Sequence, residues 1–180
     1  MPTIVAVSIN EQHTFSKTPQ LVIRLIANEG IEGDAHRGAT TQHLYLKRKD
    51  PTQPNLAQVH LLASEKLRQL AVEGFEIQPG QLGENILTQG LDLHDLPLGT
   101  LLHLGPEAVV EVTGVRTPCS QIDALRPNLQ QQMWRPRDAT GKRTRDAGIM
   151  SIVRTGGLVH PNDILRITLP PEPHLPLPPV

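Results

Sequence analysis

The chain has 180 residues and a formal net charge of −1, with 38% hydrophobic and 19% charged residues. That length supports one domain with its own core, and the near-zero charge supplies no basic field to draw it to DNA or to an anionic membrane. Aromatic residues make up only 2%, so the core is expected to be aliphatic, and the base-stacking platform of a single-strand binder is missing.

One cysteine fits a reducing compartment better than a disulfide-built secreted domain. The opening MPTIVAVSIN lacks a basic region and a long apolar run, so it does not read as a signal peptide. No run of about 18 apolar residues predicts a membrane span. The expectation is a soluble cytoplasmic protein that binds neither nucleic acid nor membrane.

Thr3–Ile9 and Leu21–Ala27 read as strands, rich in β-branched residues. Gly30–Gly38, GIEGDAHRG, reads as a loop, and the polar stretch TTQHLYLKRKDPTQPN as an exposed insertion. AQVHLLA suggests a short strand. SEKLRQLAVEG is the best helix candidate: Ser64 stands at its cap, Leu67, Leu70 and Ala71 form an apolar face, and Gly74 marks its stop. A strand is expected at Ile86–Thr88. A hairpin is expected from Gly99–Gly105 and Ala108–Val115, turning at Gly105 and Pro106. ALRPNLQQQMW is expected to be a helix with Pro127 in its first turn, and AGIMSIVRTGG and DILRITL to be strands. No βαβ alternation is apparent. The pattern predicts a mainly β fold, barrel-like, with a few covering helices. Residues 1–169 form the domain; residues 170–180, PPEPHLPLPPV, are expected to be an extended or disordered tail.

Four segments could carry chemistry. In VTGVRTPCSQID, Arg116 precedes Cys119 by three residues and Pro118 stiffens the turn between them. A guanidinium beside a thiol favours the thiolate, which is both a nucleophile and a soft metal ligand. The competing reading is a small buried hydrophobe, but Thr117, Ser120, Gln121 and Asp123 are polar neighbours that suit a pocket lip. In QPGQLGENI, Gly83 allows close backbone approach beside Glu84 and Asn85, either as an ordinary turn or as a cradle for an anionic or heteroaromatic ligand. In GIEGDAHRG, Asp34 and His36 form a candidate carboxylate–imidazole pair, although a turn-stabilising Asp34 is the plainer reading. His13, His43, His94, His103, His160 and His174 read as surface or structural, and His60 stays ambiguous. Arg135–Gly148 crowds Arg143, Arg145 and three further cations into a Gly-containing stretch, which suits either a solvated surface or a phosphate.

In their order, these segments resemble the MOSC family, named for the C-terminal domain of molybdenum-cofactor sulfurase, and in particular its small stand-alone bacterial members. GIEGDAHRG resembles the family's early G-x-x-G-D loop, and PGQLGENILTQGLDL its central G-E-N segment. LGTLLHLGPEAVVEVTGVRTPC resembles the hairpin leading into the family's cysteine, and RDAGIMSIVRTGGLVHPNDILRI its closing strands. The resemblance implies a β-barrel that binds molybdenum cofactor, a molybdopterin, with Cys119 as metal ligand or sulfur carrier. Gly83, Glu84, Asn85, Arg116 and Thr117 are the implied cofactor contacts, and the density of cations in the basic stretch assigns Arg143 and Arg145 to the cofactor phosphate. Cys119, Arg116, Asp34 and His36 are the implied catalytic group.

Pyridoxal phosphate is not expected, because the aminotransferase-like domain of the sulfurases is missing. The implied activity is reduction of N-hydroxylated small molecules, with electrons from a protein partner. The alternatives are a non-catalytic carrier that holds a Cys119 persulfide for a sulfur-transfer partner, and a binding module in which Cys119 is structural. Nothing in the sequence fixes the oligomeric state.

Overall fold

The computed structural model describes every residue except Asp138 and Thr140, which lie inside the basic stretch. The strands are β1 (Thr3–Ile9), β2 (Thr18–Gln20), β3 (Ile23–Ile26), β4 (Gly30–Ile31), β5 (Val59–Ala63), β6 (Ile86–Gln89), β7 (Leu101–Leu104), β8 (Ala108–Val115), β9 (Ile149–Thr155), β10 (Gly157–Val159) and β11 (Leu165–Thr168). The helices are α1 (Leu44–Lys49), α2 (Ser64–Val72) and α3 (Gln121–Leu125). The fold is mainly β, with an eight-stranded sheet ordered β11-β7-β8-β9-β5-β6-β1-β2 and a small sheet ordered β10-β3-β4. Among the described residues, no helix is long and apolar enough to cross a membrane.

Side chains alternate across a strand, and the central strands bury both faces. Leu61 and Ile86 join a large cluster with Ile23, Leu25, Ile31 and Val159 of the small sheet. Their neighbours Leu62 and Leu87 join a second cluster with Leu67 and Leu70 of α2 and Ile122 of α3. The large sheet is therefore covered by the small sheet on one face and by helices on the other. The core is aliphatic, as expected.

Several sequence expectations are corrected. The barrel does not close: β11 and β2 remain edges of the large sheet. An isolated bridge from Thr3 of β1 to Ile164, just before β11, brings these two strands near each other without a ladder. β2 is three exposed residues with Pro19 at its centre, and a residue without an N–H cannot extend a ladder. A βαβ unit is present after all, because β5 and β6 pair in parallel and α2 is the crossover between them. Ser64 is the first helical residue and Ala63 occupies the cap; Ala71 faces solvent. The helix expected across Pro127 ends before it: Arg126 is extended at φ −150°, ψ 130°, as expected for a residue preceding proline. The polar insertion contains α1, none of whose residues is buried.

Two irregularities aim the candidate site. The pairing of β8 with β9 slips between Val112 and Gly114, a bulge that bends the strand shortly before Arg116. Residues 170–180 run along the body without forming a regular element, and Leu177 packs against the large core cluster.

Candidate functional site

Asp34 is the hub of a buried polar cluster. Its Oδ2 accepts from Lys17 Nζ at 2.5 Å and from Asn85 Nδ2 at 3.0 Å. Its Oδ1 accepts from the His36 N–H at 3.0 Å and faces His36 Nδ1 at 3.2 Å. Burial alone would raise this carboxyl, but the His36 hydrogen bonds and the Lys17 charge prevail and hold it well below the usual carboxylate range. Asp34 is therefore a fixed negative charge. Asn85 ties the cluster to the sheet: its Nδ2 also donates to Ser8 O at 3.1 Å, and its Oδ1 accepts from His60 N at 3.1 Å.

Glu84 is buried beside it. Its Oε1 accepts from Gly80 N, and its Oε2 is enclosed with no hydrogen-bond partner among the described residues. Burial outweighs the backbone donors and Arg116, and pushes this carboxyl up to about 7. His60 shows the opposite result of burial. Its Nε2 lies 2.8 Å from the carbonyl of Ala147, and burial together with the Arg116 charge pushes it down to about 3.

Arg116 links this cluster to the cysteine. Its N–H pairs with Gly148 O at 2.9 Å, and its guanidinium donates to Leu82 O at 2.8 Å and lies 5.4 Å from the centre of the Phe15 ring. Burial lowers its proton affinity, while the charges of Cys119 and Glu84 act in the other direction. Gly83 is required beneath it. Its φ is +83°, and a Cβ there would stand 2.7 Å from Phe15 O and 3.9 Å from Arg116 Nη2.

Cys119 is free and half-buried. Among the described residues its Sγ has one weak hydrogen-bond contact, to Gln121 Oε1 at 3.8 Å, and its side chain packs against the second core cluster. Gln121 also lines a groove of about 320 Å³ with Phe15, Ala124 and Leu125. Thr117 is exposed, and Pro118 is buried, with its carbonyl accepting from Gln130 Nε2 at 3.3 Å.

The structure thus gathers Asp34, His36, Glu84, Asn85, Arg116 and Cys119 into one region. Arg143 and Arg145 behave differently. Both cover Trp134, at 5.8 Å and 5.5 Å from its ring centre, and no described hydrogen bond or ion pair joins either to that cluster. Arg145 Nε is enclosed without a partner among the described residues, and Arg143 donates to Gln131 O.

Sequence reasoning missed Lys17, which lies in a polar loop with no motif around it. His13 and His43 read as surface or structural in the sequence, and both are exposed. The His13 ring stands edge-on to His36 at 5.3 Å. Burial lowers the proton affinity of His43, and the charges of His36 and Arg116 add to that effect. No group of three or more His, Cys, Asp or Glu among the described residues could hold a metal by itself.

Fold and site together define a class: a mainly β domain that presents a lone thiol in the field of an anchored guanidinium, with an ionised, fully bonded aspartate in the adjoining polar cluster. Residues 48–166 match the family model of the MOSC domain, and the chain belongs to the MOSC domain family. Its fold is similar to that of the YuaD protein from Bacillus subtilis, at TM-score 0.74 and 24% identity, covering 93% of this chain and 96% of that one. YiiM from Geobacillus stearothermophilus aligns at TM-score 0.66 and 20% identity, covering 98% and 80%. YiiM from Escherichia coli aligns at 0.60 and 17%, covering 96% and 73%. No curated protein matches the chain.

Proposed function

We propose that this chain binds a molybdopterin-type cofactor through Cys119 and reduces N-hydroxylated small molecules with electrons from a protein partner. The observation that carries this reading is the half-buried Cys119 thiol, weakly engaged by Gln121, in the field of a guanidinium that is anchored on Leu82 O and Phe15.

The residues fit such a group. A thiolate is a soft donor that suits a soft metal, and a single protein thiol is what a metal carrying its own sulfur ligands leaves room for. Arg116 offsets negative charge gathered there, and Gly83, Glu84 and Asn85 form the adjacent wall. Thr117 is an exposed hydroxyl at the lip. Arg143 and Arg145, which lie over Trp134, are the proposed phosphate contacts.

When bound, the cofactor supplies a two-electron couple. The overall change breaks one N–O bond: an N-hydroxyl compound, two electrons and two protons give the N–H compound and water. Asp34 cannot deliver those protons, because it stays ionised. It fixes one ring nitrogen of His36, whose other nitrogen has no described hydrogen bond and can pass a proton from solvent. Lys17 and Asn85 hold Asp34 in place for that role.

The test is metal analysis of the protein made in cofactor-competent cells, beside Cys119→Ser. Molybdenum in the parent and its loss in the variant support the reading, and so does loss of N-hydroxyl reduction with a chemical electron donor. Absence of molybdenum from both proteins overturns it. In that case, a reductant-labile adduct of roughly 32 Da on the parent, the mass of one sulfur, assigns Cys119 to sulfur carriage instead.

A further inference from the structure

The proline-rich end of the sequence lies against the root of the cysteine loop. β7 and the two residues before it cover one side of β8 only as far as Val112, where Val112 N–H reaches Thr100 O at 2.9 Å and Gly99 N–H reaches Val112 O at 3.0 Å. Past that point the last residues of the sequence take over the same side. Val115 N–H donates to Pro178 O at 2.8 Å, Val180 N–H donates to Val115 O at 3.0 Å, and Val115 bridges Pro179 in parallel. Upstream, Leu98 N–H donates to Leu175 O at 2.9 Å, and Leu177 packs against the core.

The local sequence is shaped for this contact. A Cβ on Gly114 would sit inside van der Waals contact with the Pro178 carbonyl and 2.5 Å from Val180 Cγ2. Pro176, Pro178 and Pro179 have no N–H and a restricted φ, so the segment docks at low entropic cost and offers few donors to a further strand. Both main-chain groups of Val115 are thereby held one residue before Arg116. The N–H of Arg116 is held from the other side by Gly148 O.

We propose that Leu175–Val180 is a positioning strap for the Arg116–Cys119 loop, holding the guanidinium in register with the thiol. The strap touches neither substrate nor cofactor. It acts through Val115, and its effect on the thiol passes through Arg116. This inference uses the reactive thiol of the proposed function but not the metal, so it can be tested on metal-free protein.

The experiment measures the rate of Cys119 alkylation by iodoacetamide at neutral pH in metal-free protein. The variants are Gly114→Ala in the full chain, a chain ending at Leu177, Arg116→Met, and each strap variant combined with Arg116→Met. Amide exchange at Val115 reports whether the strap has left. Each strap variant should speed exchange at Val115 and slow alkylation about tenfold, and neither should slow it further in the Arg116→Met background, because residues acting as one unit are non-additive. Three results overturn the proposal: alkylation unchanged once Val115 exchanges freely, a strap effect of equal size with and without Arg116, or loss of folding in both strap variants. A chain that holds no molybdenum but passes this test refutes the cofactor reading and leaves the strap standing.

Discussion

Asn85 Nδ2 donates to Asp34 Oδ2 at 3.0 Å, although 51 positions separate the two residues. That bond joins the two motifs that looked independent in the sequence, GDAHR and GEN. It also decides what Asp34 does. A carboxylate that accepts from Asn85, Lys17 and His36 has little acceptor capacity left for a metal. Its chemistry is to orient and to neutralise.

Removing that charge should be costly. In Asp34→Asn, the Lys17 head, whose side chain is only 4% exposed, loses the counter-ion that offsets the burial of its charge. Breaking one side of a buried pair typically costs about 3–5 kcal/mol. Urea unfolding of the variant should show a loss of that size. Adding Lys17→Met should restore part of it, since an apolar stem needs no partner. An Asp34→Asn variant as stable as the parent would mean that the pair is solvated.

Glu84 and His60 give stability a pH dependence of opposite signs. The folded chain keeps Glu84 protonated up to about 7, whereas the ordinary value is 4.5. Between those values the unfolded chain has released a proton that the folded chain still binds, so the contribution of Glu84 falls as pH rises. His60 is pushed from 6.5 to about 3. Below 6.5 the unfolded chain takes up a proton that the folded chain refuses, so its contribution falls as pH drops. Glu84→Gln removes only the first effect and keeps an acceptor for Gly80 N–H. Relative to the parent, the variant should gain roughly 1–3 kcal/mol on going from about pH 5 to about pH 7.5. A difference that stays constant across that range would refute the assignment.

The strands were legible in the sequence because they are short apolar runs bounded by Gly and Pro. β1, the β7–β8 hairpin and β9 lie where those runs lie. The cysteine loop was legible too, since Arg116, Pro118 and Cys119 sit within four residues. Lys17 was not, because its partner Asp34 is brought to it only by the folding of β1 and the β4 turn. The proline-rich end announces an extended segment, but its location depends on Gly114 having no Cβ, which no local pattern reveals. The open sheet was hidden as well, since closure depends on which edges can donate hydrogen bonds.

Gly80 is a sharper test of the wall around Glu84. Its φ is +84°, and a Cβ there would press on the Lys17 carbonyl and stand 2.9 Å from Ser8 Oγ. The same residue donates to Glu84 and accepts from Lys17 N–H at 2.8 Å. Gly80→Ala should therefore cost about 2–4 kcal/mol, combining positive-φ strain with backbone displacement. Gly74 serves as the control: its φ is +89°, but a Cβ added there would meet no described atom within 4 Å, so Gly74→Ala should cost only the conformational part, about 1 kcal/mol. Equal losses at the two positions would show that crowding at Gly80 is relieved by movement of β1.

The ion cluster beneath the basic stretch should respond unequally to loss of its two members. Lys66 Nζ is buried, donating to Gln132 O at 2.6 Å and to Asp146 Oδ2 at 2.7 Å. Asp146 has a further cationic partner in Arg135, whose Nε lies at 3.3 Å; His94 Nδ1 lies at 3.6 Å, but burial lowers its proton affinity. Lys66→Met leaves Asp146 compensated by Arg135 and should cost about 1.5–3 kcal/mol, the worth of hydrogen bonds to a charged group. Asp146→Asn leaves a buried ammonium with no carboxylate partner among the described residues and should cost about 3–5 kcal/mol. Because Asp146 N–H also pairs with Met133 O at 3.0 Å, its backbone anchors the turn that carries Arg143 and Arg145. Loosening it should raise amide exchange there before it affects the strands. Denaturant unfolding of the two variants checks the order of the losses. A larger loss in Lys66→Met than in Asp146→Asn would mean that Arg135 does not compensate Asp146 once Lys66 is gone.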